Sequence, residues 1–542
     1  MSSTANSAIA TDTVSVRSNS TAAFSKEYAT MTVALTDRER ATLRTAAYGA
    51  LALMAATGAP HSAATDGSLA LASATGLVGH VLAAKSADIA LTGKTVAELA
   101  DQVFPALSAA MDLLEEKDAA EAENFRSTIG LAVGAAARPR RGESGPAAVE
   151  MARKITAALA AGAGSADGRT GSTAGPDRPE LRKALEEIVA SGLTGLTVRV
   201  HDEQGEWVGS AGVAELGGSV PPPVDGHVRI GSNTKTFIAT LVLQLVAEGR
   251  IGLDVPVVDY LPGFGFDERI TVRMLLQHTS GLFNFTGEYY SDGTIVAGIP
   301  CTTSGKEWVD KRFHSYEPEE LVRLALSKPA RFEPGTDWSY SNTNYVVARL
   351  LIEKVTGRPV AQEMQRLILG PLGLTGTVAP TTQTGVPEPH AHAYYRYTDA
   401  GAEQTVDVTE VNPSWISSGG DMISTSRDLH TFISALNSGK LLPDHLLAEM
   451  RTPVPTGIPG MGYGLGIFVQ DTDGGTVIMH NGGAGGHAAL MYSTPDGAAT
   501  LTGTLNYVDD AELSLAAAFQ EATRRLVGEV FGGPADPGLP AE

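Results

Sequence analysis

The 542-residue sequence predicts an α+β domain preceded by a separate helical domain. Three observations carry this. Strand patterns stand at both ends of residues 179–531, with a mostly helical stretch inserted between them. Residues 36–160 read as helix throughout. Between the two, Ala161 to Pro176 is a run of Ala, Gly, Ser and Thr with the composition of a flexible linker. The predicted organisation is a disordered tail over 1–35, a helical domain over 36–160, a linker over 161–178, an α+β domain with an antiparallel sheet over 179–531, and a tail over 532–542. No internal repeat is visible.

In the helical domain, Thr36-Asp-Arg-Glu39 and Thr95-Val-Ala-Glu98 both read as capping boxes that open helices. Behind the second, Val96, Leu99, Val103, Leu107 and Ala110 mark one face, and Pro105 marks a kink. Gly93-Lys94-Thr95 fails as a phosphate loop, because position 88, where that loop needs glycine, is Asp88. Ala147 to Ala160 supplies a last helix. The domain is expected to serve self-association or a protein partner.

In the second domain a helix runs from Pro179 to about Ser191. Leu196 to Val200 alternates in and out, Asp202 to Gly205 turns, and Glu206 to Ala211 returns as a hairpin. The helical middle ends near Leu374. Gly464 to Gln470, Thr476 to His480, Ala488 to Ser493 and Ala498 to Leu505 read as strands, and Ala511 to Val530 as a closing amphipathic helix.

The net charge of -21 opposes nucleic acid or an anionic membrane as the main partner. A single cysteine, Cys301, excludes an intrachain disulfide and thiolate zinc sites. No basic, then apolar leader opens the chain, and the apolar runs Ala46 to Thr57 and Ser68 to Ala84 are too short or too diluted to span a bilayer. A cytoplasmic protein is expected.

The stretch around which the second domain is organised is Gly231-Ser-Asn-Thr-Lys-Thr236, followed by a buried helix marked by Phe237, Leu241, Leu245 and Ile238, Val242, Val246. Such a helix has little use for a lysine in its first turn. If Ser232 opens it, Lys235 lies one turn on and on the same face. A serine hydroxyl becomes a nucleophile when a neighbouring base takes its proton, and a partly desolvated lysine can do so. Taken alone, Ser232 reads equally as an N-cap and Lys235 as a solvated charge. Two further segments look unlike scaffold. Phe332 to Asn342 is a turn-rich loop carrying Tyr340 and Asn342 two apart, and His480-Asn-Gly-Gly-Ala-Gly-Gly486 ends a strand in glycines that let a backbone approach a ligand. His390 and His392 share one face of an expected strand without an evident carboxylate partner, so no metal is expected there. Thr425 to Asp428 reads as a capping box.

The ordered set Ser232-x-x-Lys235, Tyr340-Ser-Asn342 and His480-x-Gly resembles the serine penicillin-recognising superfamily: class C β-lactamases, D-alanyl-D-alanine carboxypeptidases, D-aminopeptidases and related esterases. The likeness is strongest to the D-alanyl-D-alanine carboxypeptidase/transpeptidase group of actinomycetes, and it covers about Glu180 to Val530. It extends to Leu275 to Leu282, Trp415 with Ser418-Gly-Gly420, and Tyr463-Gly-Leu-Gly466. The resemblance implies a β-lactamase/transpeptidase-like fold, an antiparallel sheet flanked by helices plus a mostly helical subdomain. It implies a serine hydrolase that acts without a cofactor on small-molecule or peptide substrates through an acyl-serine. By the same resemblance, Ser232 is the nucleophile and Lys235 and Tyr340 share the roles of base and acid. Asn342 would orient substrate and lysine, and His480 would keep the tyrosine's acidity and the strand edge in order. The N–H groups of Ser232 and Gly483 would form the oxyanion hole, and Thr286 and Trp415 would line the cleft. His278 would make a structural hydrogen bond.

The sequence departs from that group where its carboxypeptidases hold a substrate carboxylate. Asn481, Gly483 and Phe468 occupy those places, with Asn481 and Phe468 expected to face substrate. Esters and amides with neutral ends are therefore expected over free acids. A binding or assembly protein that keeps the fold but turns over little is the rival from another class, and the intact Ser232, Lys235, Tyr340 and Asn342 count against it.

Overall fold

A computed structural model of the chain describes residues 35–57, 71, 76–83, 91, 95–137, 151–152, 154–156, 158–159, 177–290, 293–299, 305–472 and 474–532. The expected linker Ala161 to Pro176, Cys301, and the tails apart from Leu35 and Gly532 lie outside the described residues. The chain divides into two units, Met1–Arg169 and Thr170–Glu542.

The first unit is helical where described. Helix α1 (Asp37–Ala56) starts at Thr36, whose hydroxyl accepts from the Glu39 N–H while the Glu39 carboxylate accepts from the Thr36 N–H. Helix α2 spans Gly76–Ala83, and α3 (Val96–Lys117) repeats the reciprocal cap with Thr95 and Glu98 and carries Pro105 inside it. Helix α4 spans Ala119–Ala137. Leu43, Met54, Val103, Leu107, Phe125 and Ile129 are fully buried together, whereas Val96, in the first turn of α3, is exposed.

The second unit is built on an eight-stranded antiparallel sheet. Helix α5 (Pro179–Ala190) leads into the hairpin β1 (Gly195–Asp202) and β2 (Gly205–Gly212). After β3 (Val228–Arg229) comes α6 (Asn233–Ala247), and the helical middle includes α7 (Asn342–Thr356). Strand β4 (Ile423–Ser424) pairs with β3 and precedes α8 (Ser426–Asn437). The chain then returns as β5 (Val454–Pro455), β6 (Met461–Tyr463), β7 (Phe468–Thr472), β8 (Gly475–Ala484), β9 (His487–Ser493) and β10 (Thr500–Asn506), and closes with α9 (Ala516–Phe531). The sheet order is β2-β1-β10-β9-β8-β7-β6-β5, so the first strand docks on the last. Strands β9 and β10 are buried along their whole length, because both faces of the sheet are covered. One face packs on α5 and α9 through Leu181, Leu185, Ile188 and Leu526. The other packs on α6 and α8 through Phe237, Leu241 and Phe432, with Phe237 and Phe432 stacked 3.6 Å apart. Among the described residues no helix is long and apolar enough to cross a membrane.

Four expectations are corrected. Of the strand expected over Gly464 to Gln470 only Phe468 to Gln470 is strand, the start of β7; Gly464 to Ile467 form the bend that joins β6 to β7. Gly466 lies at φ 79°, where a Cβ would come within 2.4 Å of the Ala239 Cβ and 3.1 Å of the Lys235 carbonyl. The apolar run looks strand-like, but the left-handed glycine turns the chain out of the strand and against helix α6. Helix α9 starts at Ala516 rather than Ala511. At α8 the Thr425 hydroxyl accepts from the Asp428 N–H, as a cap should, while the Asp428 carboxylate accepts from the Thr377 hydroxyl instead of reaching back. His390 and His392 precede, rather than sit on, the strand Tyr394–Asp399, and His392 does have a carboxylate partner. Its Nδ1 lies 2.6 Å from Asp407 Oδ2, on the returning strand Ala402–Asp407. Among the described residues no three His, Cys, Asp or Glu side chains are placed to hold a metal.

Candidate active site

Ser232 sits at the N-cap of α6, but its hydroxyl caps nothing. It is held instead between two other groups: Lys235 Nζ at 2.9 Å and Tyr340 Oη at 2.8 Å. The whole first turn of α6 is buried polar side chains, which cost folding free energy unless paired. The Asn233 amide donates to the Ile230 and Ala489 carbonyls, the Thr236 hydroxyl to the Gly466 carbonyl, and the Thr234 hydroxyl accepts from the Met422 N–H. These bonds tie the helix start to β9, to the bend after β6 and to the segment before β4.

Lys235 is fully buried. Its Nζ has three oxygen neighbours: Ser232 Oγ, Asn342 Oδ1 at 2.7 Å and the Gly419 carbonyl at 2.7 Å. Two of these only accept. A neutral amine satisfies both with its two hydrogens and turns its lone pair to Ser232; an ammonium donates to all three. The site therefore accommodates the lysine in either protonation state. Its Nζ also lies 4.5 Å from the centre of the Tyr340 ring.

Tyr340 and Asn342 are presented by the start of α7. The Asn342 N–H donates to Asn284 Oδ1, and its amide donates to the Thr286 hydroxyl at 3.3 Å, so Thr286 stands beside the asparagine. The loop behind them is pinned by His278, a buried left-handed residue at φ 61° that ends the short helix Val272–Gln277. Its Nδ1 accepts from the Ser341 N–H and the Asn344 amide. Burial first, and the Lys235 charge second, hold this imidazole well below its usual pKa, so it is neutral and structural.

The glycines ending β8 close the site from the sheet side. A Cβ on Gly482 would lie 2.3 Å from the Ser232 nitrogen, and one on Gly231 would lie 2.5 Å from the Gly483 nitrogen. Only bare backbone allows this approach. Trp415 lines a narrow slot of about 20 Å³ at the same end of β8, with Trp308, Gly420, Ala484 and Gly485.

His480 bonds to the strand it stands on, while two of the expected site residues, Asn481 and Phe468, are placed differently. His480 is buried, and its hydrogen bonds run to the Tyr463 hydroxyl and the Asn481 carbonyl. Asn481 is not a cleft residue: the pleat turns it to the far face, where its amide donates to Tyr492 Oη at 2.6 Å. Phe468 belongs to the core between the sheet and α5 and α9, edge-on to the His480 ring at 5.3 Å, and forms no cleft wall. Conversely, the Gly419 carbonyl, Asn284 and Tyr463 complete the constellation without having been assigned roles from sequence. A further buried acid, Asp421, follows Gly420 and is pushed up to about 7 by burial, against the opposing charges of Arg349 and Lys235.

A family model described as beta-lactamase matches residues 181–522. Among solved structures, a D-stereospecific amidohydrolase from Streptomyces sp. is 38% identical, with a TM-score of 0.57, and the match covers 66% of this chain and 100% of that one. A D-amino acid amidase from Ochrobactrum anthropi SV3, solved with D-phenylalanine, is 28% identical, with a TM-score of 0.55, covering 64% of this chain and 97% of that one. The putative penicillin-binding protein PbpX of Bacillus subtilis is 30% identical over 236 residues, 43% of this chain and 52% of its own length.

Proposed function

The chain belongs to the beta-lactamase family of serine hydrolases, and on that premise we propose that it hydrolyses amides and esters of D-configured acyl groups whose leaving end is uncharged. The observation that carries the reading is the position of Ser232 Oγ between Lys235 Nζ and Tyr340 Oη. Ser232 attacks the substrate carbonyl carbon as its proton passes to the Lys235–Tyr340 pair. The oxyanion is received by the N–H groups of Ser232 and Gly483, worth about 3 kcal/mol per donor in acyl-transfer enzymes. Collapse of the tetrahedral species breaks the bond to the amine or alcohol, which leaves with a proton from the same pair. Water then attacks the Ser232 ester and regenerates the enzyme. Asn342 holds the lysine on one side and is braced by Thr286 on the other.

Support for the uncharged leaving end comes from the missing anion contacts. Phe468 and Asn481 stand where related carboxypeptidases carry an arginine and a hydroxyl, and both side chains are buried away from the cleft. A carboxylate entering without charge-assisted partners loses its hydration with little return. Support for D-configuration is the likeness to a D-stereospecific amidohydrolase and to a D-amino acid amidase. The test compares D- with L-phenylalaninamide, and a peptide ending in D-Ala-D-Ala with its C-terminal amide. The amide is expected to be turned over at least as well as the free acid. A free acid favoured tenfold in kcat/KM, about 1.4 kcal/mol, or a preference for the L-amide, overturns the reading.

A further inference from the structure

His480 stands on the strand that leads to the oxyanion glycines, yet its hydrogen bonds point along the sheet. Its Nδ1 lies 2.7 Å from the Asn481 carbonyl, which can only accept, so Nδ1 carries the proton. Burial, with the Lys235 charge adding to it, pushes the imidazole down to about 3, so the ring is neutral and that proton is its only one. Nε2 is then an acceptor, and the group facing it at 3.2 Å is the Tyr463 hydroxyl. The neighbouring phenol, Tyr345, commits its own hydrogen to the Leu276 carbonyl at 3.0 Å, so in its hydrogen bond with Tyr463 it is a second acceptor that shares the Tyr463 proton with His480. Tyr463 is fully buried at the end of β6, and its ring packs on Tyr340 (6.5 Å, 87°), His278 (4.9 Å) and Phe468 (4.5 Å).

Resting on the reading of Ser232 and Gly483 given above, we infer that Tyr463 is a positioning residue: its hydroxyl donates to His480 Nε2, fixes the Nδ1–H tautomer, and through Nδ1–H holds the Asn481 carbonyl so that Gly482 and Gly483 lie against Gly231 and Ser232. The chain runs Tyr463 O–H to His480 to the Asn481 carbonyl, then one peptide on to the backbone that meets the nucleophile. Without the tyrosine proton, the ring can exchange tautomers, releasing the Asn481 carbonyl. The ring packing against Tyr340 is a separate contact that a phenylalanine retains.

The test is Tyr463→Phe in the full chain. Turnover of an amide is expected to fall about tenfold in kcat, with KM within twofold, because the oxyanion forms only as the reaction proceeds. In protein labelled with ¹⁵N-histidine, the wild-type His480 resonances should show the Nδ1–H tautomer from pH 5 to 9, and the variant a mixture with Nε2–H. A wild-type Nε2–H tautomer overturns the proposal without any variant. So does a variant whose kcat stays within twofold of wild type. Labelling of Ser232 by a fluorophosphonate reports the nucleophile separately. A labelled enzyme that Tyr463→Phe does not slow therefore refutes the positioning role alone.

Discussion

Two adjacent glycines should respond oppositely to the same substitution. At Gly482 an added Cβ would lie 2.2 Å from the Ile230 carbonyl oxygen, 2.3 Å from the Ser232 nitrogen and 2.7 Å from the Gly231 carbonyl carbon. All three neighbours are backbone and none can swing aside. At Gly483 the nearest atoms are the Tyr507 hydroxyl at 3.7 Å and the His487 carbonyl at 3.8 Å, ordinary contact distances. Neither glycine has a left-handed φ, so conformation does not separate them. Gly482→Ala must push β8 and the start of α6 apart by roughly 1 Å, a misplacement that costs about a hundredfold in rate, or about 2.7 kcal/mol. Gly483→Ala keeps its N–H and restricts the unfolded chain, so it should react within threefold of wild type and gain about 0.4–1 kcal/mol in stability. The assay is the rate of Ser232 labelling by a fluorophosphonate, with thermal unfolding run in parallel. Equal rates for the two variants, whether both fast or both slow, would refute this account of how sheet and helix meet.

Ser232→Ala should fold and lose all acyl-enzyme mass increase, and Lys235→Ala should be nearly as damaging, with the double variant no worse, since a unit fails once. A mass increase in Ser232→Ala would place the nucleophile elsewhere. His487 is pushed down to about 3 by burial and donates through Nε2 to the Ala391 carbonyl. The unfolded chain takes up that proton near pH 6.5, so its contribution is intact above pH 6.5 and is lost as pH falls toward 3, by about 1.4 kcal/mol per pH unit. Asp421, raised to about 7, acts with the opposite sign: the folded state holds its proton between about pH 4 and 7, so stability gains on acidification. Urea unfolding at pH 7.5 and 5.0 should therefore show His487→Gln losing less than wild type on acidification, and Asp421→Asn losing more; identical differences across the three proteins would contradict both.

The serine, lysine, tyrosine and asparagine were legible in the sequence because their chemistry is written in side chains at short spacings. Lys235 is one helical turn from Ser232, and Asn342 is two residues from Tyr340. The Gly419 carbonyl was not legible, since a backbone oxygen looks alike at every position and only the fold brings it to Lys235. Tyr463 and His480 lie on strands separated by β7, so their hydrogen bond depends on side-chain reach that no local pattern encodes. Asn481 faces away from the cleft because the pleat sends alternate residues to opposite faces, which equivalence to a family position does not encode. Phe468 failed similarly: its apolar character suits the core behind His480 better than a water-filled cleft. The bend at Gly466 escaped because Leu465, Ile467 and Phe468 look like strand, and the requirement for close approach comes from Lys235, far away in the chain. The Asp407 partner of His392 is set by the hairpin Tyr394–Asp407, which turns at Ala400-Gly401 and brings Asp407 back beside Tyr394.

The pairing of β1 with β10 also bears on the order of events during synthesis. Gly195 meets Asn506, and Ser232 meets its closing glycines only when β8 has been made. Such contacts, remote in sequence, form late and slowly. A chain still emerging from the ribosome thus carries its serine and lysine long before it carries the strand whose glycines meet them. On the roles proposed for Ser232 and Gly483, a product truncated before Gly475 should therefore be inactive, because it holds the serine without the strand that closes on it.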